Sequence, residues 1–426
     1  MKYALRKVWF GFVVIFCTGV HAEEQKIVVD MTGDVQEALQ EALIFAEPGT
    51  IIEIGEGQFS FSGALSLDVP NITLRGAGMD KTILSFSDQK TGSEGLLVTS
   101  NNVWIEGLAI EDTPGDGIKA KGVDTITFKD VRVEWTRGPN VENGAYGLYP
   151  VESTNVLIDG AIVKGASDAG IYVGQSQQII VRNSRAEFNV AGIEIENCYF
   201  ADVYNNITTH NTGGILIFDL PNLPQKGGHS IRVFNNKSIM NDVANFAPPG
   251  NIVGTVPRGT GLIIMSNREV EVFDNEFAEN ASANLMVVAY PREYNDPGFN
   301  PLPQNIYVHD NIYGRGGWDP DGAAKELIAP ATGLPLPDII WDGAVDGVWA
   351  AFFGPSERDR LYIKEKEGTT FANLQFVKDM ILPWGASVLR DIKDHEGSFE
   401  MRGAIKLPQD NDMAEVVSMK ELVGRK

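Results

Sequence analysis

The sequence predicts an all-β fold: a right-handed parallel β-helix, or solenoid, with an N-terminal capping helix and a C-terminal extension. Three observations predict it. A small residue followed by an aliphatic one recurs at near-constant spacing, apolar and polar residues alternate within each repeat, and turn residues fall in columns.

The repeat sets the rung. Gly95-Leu96, Gly117-Ile118, Gly147-Leu148, Gly170-Ile171, Gly192-Ile193, Gly214-Ile215, Gly261-Leu262 and Asn284-Leu285 lie 22, 30, 23, 22, 22, 47 and 23 residues apart. The two long spacings coincide with clusters of Gly, Pro and Asn and read as loops inserted into regular rungs. A second ladder runs out of phase through Ile126/Phe128, Val156/Ile158, Ile179/Val181, Ala201/Val203, Ile231/Val233, Val270/Val272 and Ile306/Val308. A third short strand follows, as in Ile207-Thr208-Thr209. Strands this short cannot close a sheet on themselves, so each must pair with its equivalent one rung away. Asn205-Asn206, Asn235-Asn236, Asp274-Asn275 and Asp310-Asn311 form a turn column between the second and third strands. Asn tolerates left-handed backbone angles and can hydrogen-bond along a stack, so the column reads as structural.

The ends differ from the middle. Lys2, Arg6 and Lys7 precede an apolar run, Val8 to Val20, that closes on His21-Ala22, the pattern of a secretory signal over residues 1–22. Phe16 stands before Cys17 where a lipoprotein signal has a small residue. The run is too short to span a bilayer, and no later stretch is long and apolar enough, so a soluble periplasmic or secreted protein is expected. Val35, Ala38, Leu39, Ala42 and Phe45 share a helical face that would cover the first rung. The β-helix domain is expected over residues 23–315. After Gly314 the period fades, and residues 316–426 read as an extension that caps or flanks the solenoid.

Charge narrows the partners. The chain carries −22; three of its 35 basic residues and none of its 57 acidic ones lie in the first 22 residues, which leaves the remainder at −25. Nucleic acid and anionic membranes are therefore poor partners, and an anionic polysaccharide would need a local cationic patch or a bridging divalent metal. Cys198 is the one cysteine after residue 22, so no disulfide forms within that part, and beside Tyr199 and Phe200 it reads as a core residue. There is no His-x-His or Cys-x-x-Cys spacing to hold a transition metal.

The segments Val35-Gln36-Glu37-Ala38-Leu39, Pro48-Gly49-Thr50-Ile51-Ile52 and Asn71-Ile72-Thr73-Leu74-Arg75-Gly76-Ala77-Gly78, with the rungs after them, resemble the carbohydrate-binding and sugar-hydrolase type of parallel β-helix proteins. That group includes polyuronate lyases, mannuronan epimerases and periplasmic copper-site accessory proteins. The resemblance covers roughly residues 27 to 315 and speaks for the fold more than for function. Val103-Trp104-Ile105 resembles a pectate-lyase signature, but Glu106-Gly107 stands where that family has Asp-His, and the Asp-Pro-His-Asp motif of mannuronan epimerases is absent.

The insertions 137–146, 219–229, 242–258 and 290–304 all flank the first strand, and would wall a groove floored by its outward face. With Ile118, Leu148, Ile171, Ile193, Ile215, Leu262 and Leu285 pointing in, the outward residues are Lys119, Tyr149, Tyr172, Glu194, Leu216, Ile263 and Met286, followed two residues on by Lys121, Val151, Gly174, Glu196, Phe218, Met265 and Val288. The column turns apolar at Leu216, so the long loops are expected to bury the later rungs and leave the earlier ones open.

Lys119, Tyr172, Glu194 and Arg258 are the expected catalytic residues. Tyr149, Asp219, His229 and Arg292 are expected to bind substrate, and Asp168, Glu194 and Glu196 to hold calcium. The chemistry expected is that of a lyase or epimerase on an acidic polysaccharide, with a carboxylate-pair hydrolase as the nearest variant. The alternative is a non-catalytic accessory protein that holds a periplasmic protein partner on the apolar column Leu216, Phe218, Ile263, Met265 and Met286.

Overall fold

The computed structural model describes residues 25–381 and 388–409; the expected signal segment, residues 1–22, lies outside them. The chain winds into a right-handed parallel β-helix. Among the described residues it forms three sheets, of 11, 12 and 10 strands, in which each strand pairs with its equivalent one rung away. The rungs stack in register, as in Ile118↔Leu148, Ile171↔Ile193 and Ile215↔Leu262. These inward residues have no exposed surface, and with Ile126, Ile158, Val181 and their column mates they form one continuous core. No helix among the described residues is long and apolar enough to cross a membrane.

The second-to-third turn works as the sequence indicates. Asn205, Asn235, Asp274 and Asp310 adopt left-handed angles, with φ between 52° and 57°. The asparagine after each is buried, and its side-chain oxygen accepts the backbone N–H of the rung before: Asn206 N to Asn236 Oδ1, Asn236 N to Asn275 Oδ1 and Asn275 N to Asn311 Oδ1, each 3.0 Å. Glu365 ends this ladder, accepting from Asn311 N at 2.9 Å. A second ladder, Asn189, Asn211, Asn241 and Asn280, stacks in the same way after the third strand. Asn236→Ala is expected to cost about 3 kcal/mol, because it leaves the buried Asn206 N–H unpaired and removes the side-chain bond to the Val203 carbonyl. A chemical-denaturation midpoint within error of wild type would contradict this.

One outward column of the 12-stranded sheet has a pattern of its own. Glu53, Arg75, Glu106, Lys129, Asp159 and Arg182 stand on successive rungs with alternating charge. Tyr204, Phe234, Phe273 and His309 continue it as a stack of rings with centroids 4.8 to 5.2 Å apart.

The N-terminal helix, Val35–Phe45, is capped by Asp34, whose side chain accepts from Glu37 N. It covers the first rung through Leu39, Ala42, Leu43 and Ala46, with Val35 and Ala38 partly buried against the core. Phe45, expected on that face, is 77 % exposed. Leu39, Leu43 and Ala46 fall at i, i+4 and i+7, and Phe45 lies about 130° round the helix from that line.

The sheets do not stop at residue 315. Ile339–Trp341 pairs with Ala283–Val288, Phe371–Asn373 pairs with Ile339–Trp341, and Leu361–Lys364 pairs with Gln304–His309, all in parallel. The chain then runs back along the outside of the 12-stranded sheet. Arg402 donates to Asp202 at 2.7 Å, Ile405 and Leu407 pack on Leu157 and Ile180, and Gln409 reaches the Asn155 carbonyl. Cys198 lies in the core, its thiol pushed up by burial.

Candidate functional site

The outward face of the 11-stranded sheet gathers aromatic and acidic side chains on four successive rungs. Lys119 lies at its open end, with Nζ 3.5 Å from Glu94, 3.6 Å from Asp116 and 4.8 Å from the centre of the Tyr149 ring. Tyr146, Tyr149 and Tyr172 follow as a cluster with centroids 4.4 to 5.1 Å apart. Tyr172 is folded down across its own strand because residue 174 is glycine; a Cβ there would lie 2.4 Å from the ring. Gly174 is the register partner of Glu196, so the folded-down ring brings the Tyr172 hydroxyl to Glu196 Oε1, to which it donates at 2.6 Å. Gln175 donates to the same hydroxyl at 3.2 Å.

Three carboxyls complete the cluster. Glu194 stands between Tyr172 and Leu216 in register, 1 % exposed, and neither of its oxygens has a hydrogen-bond partner among the described residues. Asp168 accepts from Asn251 Nδ2 at 2.8 Å. Burial, then the charges of Glu196 and Asp168, push Glu194 well above the ordinary carboxylate range. Glu196 and Asp168 are each pushed up to about 7, mainly by burial, while the Tyr172 hydroxyl holds Glu196 lower and Asn251 does the same for Asp168. Burial takes Tyr149 up to about 12 and Asp116 to about 6, and pushes Tyr146 and Tyr172 far above the ordinary phenol range. Among the described residues no cation figures among the groups acting on Glu194, Glu196 or Asp168.

The fold therefore brings Lys119, Tyr149, Tyr172, Glu194, Glu196 and Asp168 into one place. It puts the remaining candidates to other uses. Arg258 is tied to Asp319 at 2.9 Å, at the outer edge of its loop. Asp219 is fully buried and caps the Gly227 and Gly228 N–H groups, although its charge still helps to raise Glu196. His229 belongs to the 12-stranded sheet, stacked on Tyr199 with centroids 4.5 Å apart, and plays no part in the groove. Arg292 donates to the Gly250 and Asn251 carbonyls, both at 2.9 Å, so its guanidinium pins the loop that covers the site.

One expectation is corrected. The floor is not open above Tyr172, Glu194 and Glu196: the 242–258 loop reaches back as far as Asp168, earlier than the apolar switch at Leu216 indicates, and these side chains are buried. Among the described residues no three His, Cys, Asp or Glu side chains are arranged to hold a metal ion. Glu196 is turned to Tyr172 and Asp168 to Asn251, so the expected calcium triad is not preformed. The later rungs are covered as expected, Leu216, Phe218, Ile263, Met265 and Met286 packing with Val253 and Val256. Ala324, Ile328 and Leu336 of the extension add to that cover, and together they remove the exposed apolar face on which the accessory-protein alternative rested. Tyr146 and Asn251 were missed. Tyr146 ends the 137–146 insertion and Asn251 lies within the 242–258 one, where strand alternation gives no direction; the Tyr-x-x-Tyr spacing of Tyr146 and Tyr149 is the one available signal.

A family model described as a right handed beta helix region matches residues 85–237. No curated protein matches the sequence. The A-module of the mannuronan C-5 epimerase AlgE4 of Azotobacter vinelandii is 14 % identical with a TM-score of 0.52, over 82 % of this chain and 94 % of that one. The A-module of AlgE6 from the same organism is also 14 % identical with a TM-score of 0.52, over 79 % and 91 %. A DFA-IIIase of Arthrobacter chlorophenolicus A6, in complex with GF2, is 12 % identical with a TM-score of 0.50, over 75 % and 92 %. At these identities the likeness is one of fold.

Proposed function

We propose that this chain is a carbohydrate-active enzyme that cleaves or transfers a glycosidic bond by carboxyl acid–base chemistry on the outward face of the 11-stranded sheet. The observation that carries the reading is the cluster of Glu194, Glu196 and Asp168 beside Tyr172, with no cation acting on it among the described residues. Carboxyls in one cluster with unequal proton affinities supply an acid and a base at the same pH. Glu194, raised furthest, is the proton donor to the leaving oxygen. Glu196, held lower by Tyr172, takes the proton of the attacking water as its oxygen bonds to the anomeric carbon. Tyr149 and Lys119 line the half-exposed approach.

The same electrostatics favour an uncharged sugar. A uronate carboxylate would meet Glu94, Asp116, Asp168, Glu194 and Glu196, while Lys119 is already shared between two of them and Arg258 and Arg292 are engaged elsewhere. The lyase or epimerase reading on an acidic polysaccharide is the second one. Lys119 beside Tyr149 at the open end favours it, and calcium would have to supply the neutralising charge.

Residues 23–426 should be incubated with a panel of uncharged polysaccharides and with alginate, pectate and glycosaminoglycans, each with calcium or with chelator. New reducing ends from an uncharged glycan are expected. Unsaturated ends or altered uronate stereochemistry would replace this reading by the second, and no product from any substrate would count against both.

A further inference from the structure

The insertion 242–258 has the construction of a moving part. Both of its ends meet on one short stretch: Val243 N donates to the Asn211 carbonyl, Thr212 Oγ1 donates to the Val243 carbonyl, and Gly259 N donates to the Thr212 carbonyl. Gly259 turns the chain there at φ 85°, where a Cβ would lie 2.7 Å from Ala281 N, so residue 259 has to be glycine. The loop is also tied to itself. Asn245 Nδ2 donates to the Val253 and Val256 carbonyls at 2.9 and 3.0 Å, and Asn245 Oδ1 accepts from Ala247 N. A compact loop with adjoining ends and internal bonds moves as a unit.

Its hold on the protein combines three polar ties with an apolar seat, to which Phe246, Ala247 and Ile252 also contribute. Asn251 bonds to Asp168 below, Arg292 bonds to the Gly250 and Asn251 carbonyls from the side, and Val253 and Val256 rest on the apolar column. A cavity of about 290 Å³ lies between the Pro248–Asn251 stretch, Thr255 and Arg292, leaving room on the outer flank. Beneath sits Glu194, buried with both oxygens unpartnered among the described residues. A carboxyl buried in this way lacks hydrogen bonds that a ligand hydroxyl would supply.

We propose that residues 242–258 form a lid, hinged on Asn211 and Thr212 and latched by Asn251 on Asp168, which lifts to admit ligand to Glu194 and Glu196. The purpose of the movement rests on the function proposed above; the movement itself does not, and it is measured without substrate. Folded protein is treated with a water-soluble carbodiimide and an amine, and labelling of individual carboxyls is followed by peptide mass mapping. Glu56, with its side chain 62 % exposed, serves as the open reference, and Asp159, 5 % exposed in an ion pair away from the loop, as the closed one.

Asn251→Ala/Arg292→Ala is expected to raise the labelling rate of Glu194 and Glu196 roughly tenfold or more, the effect of losing the three hydrogen bonds that latch the loop, with Asp159 unchanged. Arg292→Gln alone should give a smaller rise, together with faster amide exchange in 242–258 and unaltered exchange in the strands beneath. Unchanged Glu194 labelling in both variants would overturn the lid, as would a parallel rise at Asp159, which reports general loosening. Lid-dependent labelling without turnover of any glycan would leave the lid standing and refute the enzyme.

Discussion

Glu196→Gln is expected to lower kcat/KM by about 10²–10⁴-fold, the usual contribution of a positioned proton acceptor. The amide has the size of the carboxylate and can still accept from the Tyr172 hydroxyl through its oxygen, so the site keeps its shape and loses its base. Tyr172→Phe tests the same pair from the other side. The hydroxyl holds Glu196 down against the burial that takes it to about 7, and removing it raises Glu196 further. Because the base must be ionised, the acid limb of the pH–rate profile should move to higher pH in Tyr172→Phe, with a smaller loss of rate than in Glu196→Gln. Release of reducing ends from the uncharged substrate measures both. If Glu196→Gln stayed within a few-fold of wild type, the proton chemistry would have to be moved to another group.

The same carboxyls make stability depend on pH. Glu196 and Asp168 hold their protons up to about pH 7 in the fold, whereas an unfolded chain releases them near pH 4. Their protonation therefore stabilises the folded state fully below about pH 4, and that contribution is lost as pH rises through 7. For Glu196 alone the loss is on the order of 3 kcal/mol. Ion-paired groups oppose it at the acid end: Asp202 and Glu187 lie below their ordinary values despite burial, so their stabilisation disappears as pH falls through the folded pKa. Stability is thus expected to be greatest near pH 4 to 5, to fall until about pH 7 and to change little above it. Glu194→Gln/Glu196→Gln, neutral at every pH, should flatten the alkaline side. Urea midpoints at pH 5.5 and 8.5 decide the matter, and a wild-type midpoint equal at the two would count against buried, protonated carboxyls.

The fold was legible because its signal repeats. One aliphatic every 22 or 23 residues, such as Ile171, Ile193 and Ile215, fixes which face is inside, and every rung restates it. The last strands were illegible for the converse reason. Ile339–Trp341, Leu361–Lys364 and Phe371–Asn373 are separated by helices and turns of unequal length, so no period survives although the pairing does. Strand direction placed Tyr149, Tyr172, Glu194 and Glu196 on one face. It could not show that Arg258 would be claimed by Asp319, 61 residues away, or how far the 242–258 loop reaches, since loop paths are set by contacts such as Asn251 to Asp168 that have no local signature.

The alternating column from Glu53 to Arg182 bears on how such a molecule assembles without error. Successive rungs are nearly interchangeable in shape, so a growing solenoid can omit one and still pack its aliphatics. Along this column an omission changes sign. With the Glu106 rung looped out, Arg75 would sit against Lys129; with the Lys129 rung looped out, Glu106 would meet Asp159. Like charges directly opposite on neighbouring strands repel. The column thus acts as a parity check, in which a single skipped rung is penalised at the place where it happens, and only the skipping of two escapes. The check ends at Tyr204, where the rings begin, and the returning tail straddles that end, crossing the sheet from Ser230 and Asp202 to Ile180, Leu157 and Asn155, so that it spans rungs already laid down and holds their count fixed.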